Sequence, residues 1–384
     1  MHIRSQNLMD KSIAMNCATP SATYQFAKKF SHYKDFYAKS NDLIFSKLGL
    51  GTFNKEPYKE ENYVFHYIEG VKQAIRSGIN LIDTASNYRY GESEKEIGEA
   101  LRELFESGEA SREELIICSK GGFIPLCYPF PKNPYVWIEE NILKSKLASK
   151  EEIELDQHCM SPDFLEYSCR GSLERLGVDA LDIYFLHNPE MQLKRLGKEA
   201  FYEAIEKIFE RFESLRAQGL FHYYGVATWN AFLLDETHEE HISLERLMDV
   251  AQKVGGKEHG FRYIQAPFNL AKTHAYTLQT QKVKGEACTL MQAAKRVGVD
   301  MIGSSSLLQM NLFKKSFTPE VGFILDKQMI LKNDIQLALQ FVRSTRGILS
   351  GLFASKVPVH IKENVEIGKI SATPQNLYDL LYKV

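Results

Sequence analysis

The 384-residue chain has no excess of charge of either sign: 47 Lys and Arg stand against 49 Asp and Glu, a formal net charge of -2. Such a surface draws in neither a nucleic-acid backbone nor an anionic membrane, so no nucleic-acid and no membrane partner is expected. Nowhere does a stretch approach the about 18 consecutive apolar residues of a membrane-spanning helix. The N-terminal MHIRSQNLMDKSIAMNCATPSA has no apolar segment of the signal-peptide kind, and the expectation is a cytoplasmic protein. Cysteine is sparse: Cys17, Cys118, Cys127, Cys159, Cys169 and Cys288 form no C-x-x-C pair, and the adjacent His158 and Cys159 have no second pair to complete a zinc site. Free thiols are therefore expected, and no metal. Solenoid repeats and low-complexity tracts are missing as well.

What is present is an alternation of short apolar runs with amphipathic segments. With 44% hydrophobic and 25% charged residues the chain can bury a large core. Eight runs read as strands: Lys47–Gly51, Ile79–Asp83, Leu115–Ser119, Leu181–Leu186, Phe221–Ala227, Arg262–Ala266, Val299–Ser304 and Gly347–Leu352. The clearest helix is Glu199–Gln218, with Phe201, Ile205, Ile208, Phe212 and Leu215 on one face and Gly219 as its stop. Others are expected at Tyr63–Ser77, Ser93–Phe105, Asp163–Leu176, Leu244–Val254, Ala287–Val297 and Asn333–Arg343. Strands that alternate with helices are parallel, in an open doubly wound sheet or a closed barrel. The first strand ends in LGLGTF, which does not fit the G-x-G-x-x-G of a dinucleotide fold, and eight units favour an α/β (β/α)8 TIM barrel.

Four segments fall outside that alternation. Residues 1–44 read as an N-terminal extension ahead of a barrel over 45–384. Its first 18 residues are without pattern, and a helix starts at Thr19-Pro20 with Phe26, Phe30, Tyr33 and Tyr37 as an aromatic stripe. That stripe reads as packed on the barrel, or as a helix for a partner or for oligomer contacts. The long insertion after strand 3, residues 121–162, holds FIPLCYPFPKNPYVW and then a helical piece around Ile138–Glu154. It leaves the catalytic end of a barrel strand, where Phe123, Tyr128, Phe130, Tyr135 and Trp137 would line a substrate site. Leu307–Gln328, after strand seven, is placed to drape over a cofactor, and Pro374–Leu381 is a short amphipathic end.

Active residues of such barrels lie at the C-terminal strand ends. Asp83 ends the second strand with Tyr88 five positions on, Lys120 follows the third and His187 the fourth. Each alone would be an ordinary polar residue at a strand end. Together they make a proton-delivery group: an ammonium beside a phenol favours the phenolate, a carboxylate fixes the ammonium, and an imidazole orients a carbonyl oxygen. Cys118, inside the third strand, reads as a small buried hydrophobe.

Several motifs in chain order make the sequence resemble the aldo-keto reductases over about residues 45–366: LGLGT (48–52), NLIDTASNYRYGESEKEIGEAL (80–101), SLERLGVDALDIYFLHNP (172–189), FHYYGVATWN (221–230), YIQAPFNL (263–270) and SKVPVHIKENV (355–365). The resemblance implies a reversible oxidoreductase that takes hydride from NADPH, with NADH open, to a small-molecule carbonyl, or the reverse from an alcohol. Asp83, Tyr88, Lys120 and His187 match the catalytic tetrad, and the family spacing selects Tyr88 over Tyr90 as the acid. Cofactor contacts are implied for Thr52, Asp83, Thr228, Gln265, Ser304, Ser305 and Leu307 around the nicotinamide, Lys356 near a 2′-phosphate, and Glu363 and Asn364 at the adenine. A slow, cofactor-binding, redox-sensing or regulatory subunit is the alternative the family also allows, and a homo-oligomer is left open. The chain departs from the family's pattern at Ala227-Thr228 for its Ser-Asn pair, at Ser304 for a stacking tyrosine, at Val357 after the basic residue and at His360 for an arginine. Trp229 fits either the core or the pocket wall.

Overall fold

A computed structural model of the chain describes residues 16–53, 66–314 and 316–382. Eight parallel strands close into a barrel in sequence order: β1 (Leu48–Gly51), β2 (Leu81–Asp83), β3 (Ile116–Gly121), β4 (Leu181–His187), β5 (Phe221–Ala227), β6 (Phe261–Pro267), β7 (Asp300–Ser304) and β8 (Ile348–Phe353). The (β/α)8 barrel expected from the alternation is the fold. Alternate residues of each strand point inward, so Leu81, Ile116, Cys118, Ile183, Phe185, Tyr263 and Ile302 fill the interior. The other face of each strand packs on helices that include Glu92–Glu106, Pro162–Leu176, Lys198–Ala217, Leu244–Gly255 and Asp334–Ser344. No helix among the described residues is long and apolar enough to cross a membrane, and all six cysteines are free.

The N-terminal segment closes the barrel floor. Its helix runs only over Pro20–Lys29, shorter than the aromatic periodicity predicts, and Tyr37 lies in a hairpin of Tyr37–Ser40 with Leu43–Ser46. Tertiary bonds replace the helical ones beyond Lys29: Lys34 N–H donates to Gly368 C=O at 2.7 Å, Arg343 donates to Lys34 C=O at 3.0 Å, and Asp35 takes φ 49°. The aromatic stripe survives this break as a ladder, Phe26–Phe30–Tyr33–Phe36–Tyr37, with centroids 5.0–6.0 Å apart. Phe45 of the hairpin enters the barrel and stacks near Tyr263. Residues 16–18, without pattern in the sequence, are anchored here: Ala18 N–H donates to Asp182 Oδ1 at 2.7 Å. Asp182 is fully buried, and its other oxygen accepts from Arg112 at 2.8 Å and from Ile117 N–H of β3 at 2.7 Å.

The excursion between β3 and the helix Pro162–Leu176 has its own small core of Ile124, Ile138, Ile142, Ala148, Cys159 and Phe164. The helical piece expected around 138–154 is found only in part. The chain forms one turn at Pro134–Ile138, a wider turn at Glu139–Leu143, reverses at Lys146 (φ 57°), and enters a hairpin of Ile153–Glu154 with His158–Cys159. Helix Tyr63–Ser77 is found as Ile68–Arg76, its first expected residues lying outside the described residues, and helix Ala287–Val297 starts at Leu290, because Thr289 caps it and Glu286–Cys288 pairs with Gln281–Val283. His158 welds the insertion to the barrel: its Nε2 lies 2.8 Å from His187 C=O, and Gln192 donates to its Nδ1 at 3.2 Å. Gly122 passes beneath with φ 146°, where a Cβ would sit 2.5 Å from His187 C=O and 2.9 Å from His158 Nε2, so no side chain fits there.

Two predictions follow from these buried groups. Asp182→Ala leaves the buried Arg112 guanidinium without its counter-charge, with only Leu115 C=O and Ala180 C=O as partners, and urea unfolding should show a loss of about 3–5 kcal/mol. Burial lowers the His158 pKa to about 4 in the folded chain. The unfolded chain then binds more protons between about pH 6.5 and 4, so stability is full above that window and falls through it. The slope of unfolding free energy against pH over this window should be shallower in His158→Gln than in the wild type; an unchanged slope would remove His158 from the linkage.

Candidate active site

The four residues expected to act together meet at the C-terminal mouth of the barrel. Period-2 alternation stacks Lys120 above Cys118 in β3, and His187 above Phe185 in β4, so both continue the inward-facing rows. Asp83 closes β2, paired in register with Cys118. Tyr88 stands at the head of a short 3-10 turn, Tyr88–Gly91, in which Arg89 and Tyr90 take φ of 50° and 56°. The Lys120 ammonium is 2.5 Å from Asp83 Oδ2, donates to Thr84 C=O at 2.8 Å, and lies 5.1 Å from the Tyr88 ring centroid. The His187 ring meets the Tyr88 ring edge-on, with centroids 5.8 Å apart. Gln265 of β6 donates to the second oxygen of Asp83 at 2.6 Å.

Burial opposes the charge on Lys120, but Asp83 and Tyr88 outweigh it, and the lysine is held above its ordinary pKa as a firm cation. Burial pushes the Tyr88 phenol up; Lys120 pulls it down without cancelling that rise. The net lowering anticipated from a neighbouring ammonium is thus not the resting condition. Burial, then the charge on Lys120, hold His187 well below the usual histidine value, so it is a neutral imidazole. Its Nδ1 is buried without a hydrogen-bond partner.

A cavity of about 430 Å³ opens over these groups. Thr52, Asp83, Tyr88, Lys120, His187, Thr228, Gln265, Ser304, Ser305 and Leu307 all line it, so ten of the sequence candidates converge. Lys356, Glu363 and Asn364 do not. Lys356 lies between β8 and the helix Pro358–Val365 that carries the other two, with Asn364 buried and Glu363 exposed. Of the insertion's aromatics only Phe123 lines the cavity; Tyr135 is 66% exposed, and Phe130 packs on Tyr90 instead. The expected row of aromatic substrate contacts is therefore corrected to one ring. The reason is that the excursion folds on its own core of Ile124, Ile138, Ile142, Ala148, Cys159 and Phe164, against which Trp137 packs. Trp229 takes the pocket-wall alternative, half exposed at the mouth.

Phe53, Asn87, Asn188, Ser306, Gln309 and Met310 also line the cavity and were not singled out in the sequence. Asn87 and Asn188 each adjoin a tetrad member, which was the available signal. Gln309 and Met310 lie in Leu307–Gln328, the segment expected over a cofactor, and Ser306 just before it; Ser305, Leu308, Gln309 and Met310 take positive φ. Thr228 Oγ1 and Ser306 Oγ are buried here with no partner in the protein. Among the described residues no group of three or more His, Cys, Asp or Glu could hold a metal ion.

Relatives share this architecture. An NADH-specific methylglyoxal reductase of Escherichia coli is 27% identical over 50% of this chain and 51% of its own length. A putative voltage-gated potassium channel subunit beta of Schizosaccharomyces pombe is 27% identical over 57% of this chain and 51% of its own. The chain thus spans about half the length of these curated relatives. A solved aldo/keto reductase from Klebsiella pneumoniae, in complex with NADP and acetate, covers 91% of this chain and 95% of its own with a TM-score of 0.57 at 17% identity, a likeness of fold. The family model described as Aldo/keto reductase family matches residues 47–318, more than half of the sequence and every strand from β1 to β7, and the chain belongs to that family of oxidoreductases.

Proposed function

We propose that the chain reduces an aldehyde or ketone to an alcohol, reversibly, with NADPH as hydride donor and Tyr88 as general acid. The observation that carries this reading is the meeting of phenol, ammonium, carboxylate and neutral imidazole at the floor of one cavity. A bound nicotinamide would supply the hydride to the carbonyl carbon. The protein's own part is the proton and the geometry. Tyr88, held protonated at neutral pH, gives its proton to the carbonyl oxygen, and the Lys120 charge stabilises the phenolate as it forms. Asp83 keeps that charge in place, and neutral His187 can donate one ring N–H to the same oxygen.

The orphaned hydroxyls of Thr228 and Ser306 suit a flat, amide-bearing group between β5 and β7. Thr52, Thr228, Gln265, Ser304, Ser305 and Leu307 would hold the nicotinamide half, with Lys356, Glu363 and Asn364 toward the phosphate and adenine. Asp83 has both oxygens engaged, so its part is to order Lys120 and Gln265 more than to grip a ribose. Lys356 favours NADPH. Val357, His360 and the NADH-specific relative keep NADH as the competitor. Phe53, Phe123, Trp229 and Met310 make the substrate end apolar.

A second reading, a regulatory subunit that binds cofactor and turns over slowly, draws on the relative named as a channel subunit beta. The helix Pro20–Lys29 gives it little support, since Phe26 is buried and only Tyr24 of its aromatics faces solvent. Copurification with and without residues 1–44 separates the two; a stable partner with slow turnover favours the second.

Tyr88→Phe and Lys120→Met are each expected to lower kcat by at least about 100-fold. The NADPH dissociation constant, read by fluorescence titration, should hold within about twofold, because neither change removes a cofactor contact. Near wild-type turnover in both would overturn the mechanism. The same titration should find NADPH tighter than NADH, with the gap narrowed in Lys356→Ala; an unchanged gap would remove Lys356 from that role.

A further inference from the structure

Glu190 is a buried acid that the proposed reaction does not use. It opens the helix Glu190–Leu196, three residues past His187. Its Oε1 accepts Trp229 N–H at 2.7 Å, and its Oε2 is buried without a partner. The surroundings bring it the backbone N–H groups of Trp229, Asn230 and Glu190 itself, and the carboxylate of Glu240. The nearby lysines are committed elsewhere: Lys194 of the same helix pairs with Glu239 at 3.7 Å, and Lys272 bonds Asn230 Oδ1 with its ammonium 5.8 Å from the Trp229 ring.

Trp229 needs such a hold. Its ring lines the cavity yet is 47% exposed, so no core packing fixes it. The strand beneath it ends at Ala227, and Thr228 N–H makes the last bond of the ladder, to Gln265 C=O at 2.9 Å. Between that bond and Ala231, whose C=O accepts Ile242 N–H at 3.1 Å, Glu190 is the partner of the Trp229 N–H.

We propose that Glu190 is a positioning residue for the substrate wall: its carboxylate holds the Trp229 backbone, and so places the indole that lines the cavity with Tyr88 and His187. This rests on reading that cavity as the substrate site. The carboxylate makes the stronger, charge-assisted bond to the Trp229 N–H, and the neutral acid the weaker one. Burial raises the Glu190 pKa to about 7. The turn is therefore held firmly above that pH and loosened below it. His158 and His187, the nearest imidazoles on the loop and the insertion, stay neutral through this window.

The chain has two tryptophans, so Trp137→Phe leaves Trp229 as the single reporter. In that background Trp229 emission should shift with a midpoint near pH 7, and the shift should be lost in Trp137→Phe with Glu190→Gln. With benzaldehyde as substrate, KM should fall about 3- to 10-fold from pH 6 to 8 while kcat stays within about twofold. Glu190→Gln should remove that fall. Propanal, too short to use the indole, should show the smaller change. An emission that does not titrate between pH 5.5 and 8.5, or one that titrates unchanged without Glu190, overturns the proposal. The first of those needs only the Trp137→Phe chain, so it decides the matter even where Glu190→Gln does not fold. Emission needs no turnover, so loss of the reductase reading would appear separately, as absent activity with the titration intact.

Discussion

The contact on which the site depends is the buried ion pair of Lys120 with Asp83. Both side chains are withdrawn from water, a cost that their mutual attraction offsets only when the remaining donors and acceptors are also satisfied. Here they are: Thr84 C=O takes a second hydrogen of the ammonium, and Gln265 occupies the free carboxylate oxygen. Four groups from β2, β3, the β2 loop and β6 are thereby locked into one arrangement across the barrel mouth. The pair does more for geometry than for stability. It fixes a positive charge 5.1 Å from the centre of the Tyr88 ring, where it favours the phenolate form.

A barrel can hold such a pair only if its interior is dry and its floor closed. The interior is a stack of aliphatic and aromatic side chains beneath Lys120, and the N-terminal hairpin seals the far end with Leu43 and Phe45. A polar collar lies there too, with Ser40 donating to Asp300 at 2.5 Å. The extension is thus part of the barrel's closure. The strand Leu43–Ser46 crosses the boundary at residue 44 that composition suggested.

The eight strands were legible because buried parallel strands are continuous apolar runs bounded by helices of period 3.6, a pattern with few alternatives at this length. The tetrad was legible because strand ends of a closed barrel converge, so Asp83, Lys120 and His187 become neighbours once the strands are numbered. Where tertiary bonds decide, the pattern failed. Periodicity carried the first helix through Tyr37, but Gly368 and Arg343 supply the backbone partners that end it at Lys29. Polar residues around 138–154 have helical character, yet a private core of Ile124, Ile142 and Phe164 bends the chain into turns and a hairpin. The sign of the Tyr88 shift was hidden for a related reason: sequence proximity names the neighbouring charge, while desolvation depends on everything else packed around the ring.

The loop after β4 gathers these threads. Within LHNPEMQ, His187 faces the cavity, Glu190 holds Trp229 on one side, and Gln192 holds His158 on the other. Asn188 turns the chain at φ 46° and bonds Ala227 C=O of β5 at 2.7 Å, which lets the three side chains diverge. The two apolar walls, Phe123 from the insertion and Trp229 from the β5 turn, are therefore referenced to the same backbone that carries the imidazole. Phe123 even packs between His158 and His187, at centroid distances of 5.3 and 5.0 Å. The insertion is joined to His187 through its carbonyl, 2.8 Å from His158 Nε2, and the β5 turn is joined to the same span through Glu190. One six-residue span, His187–Gln192, thus positions the imidazole and both apolar walls of the cavity.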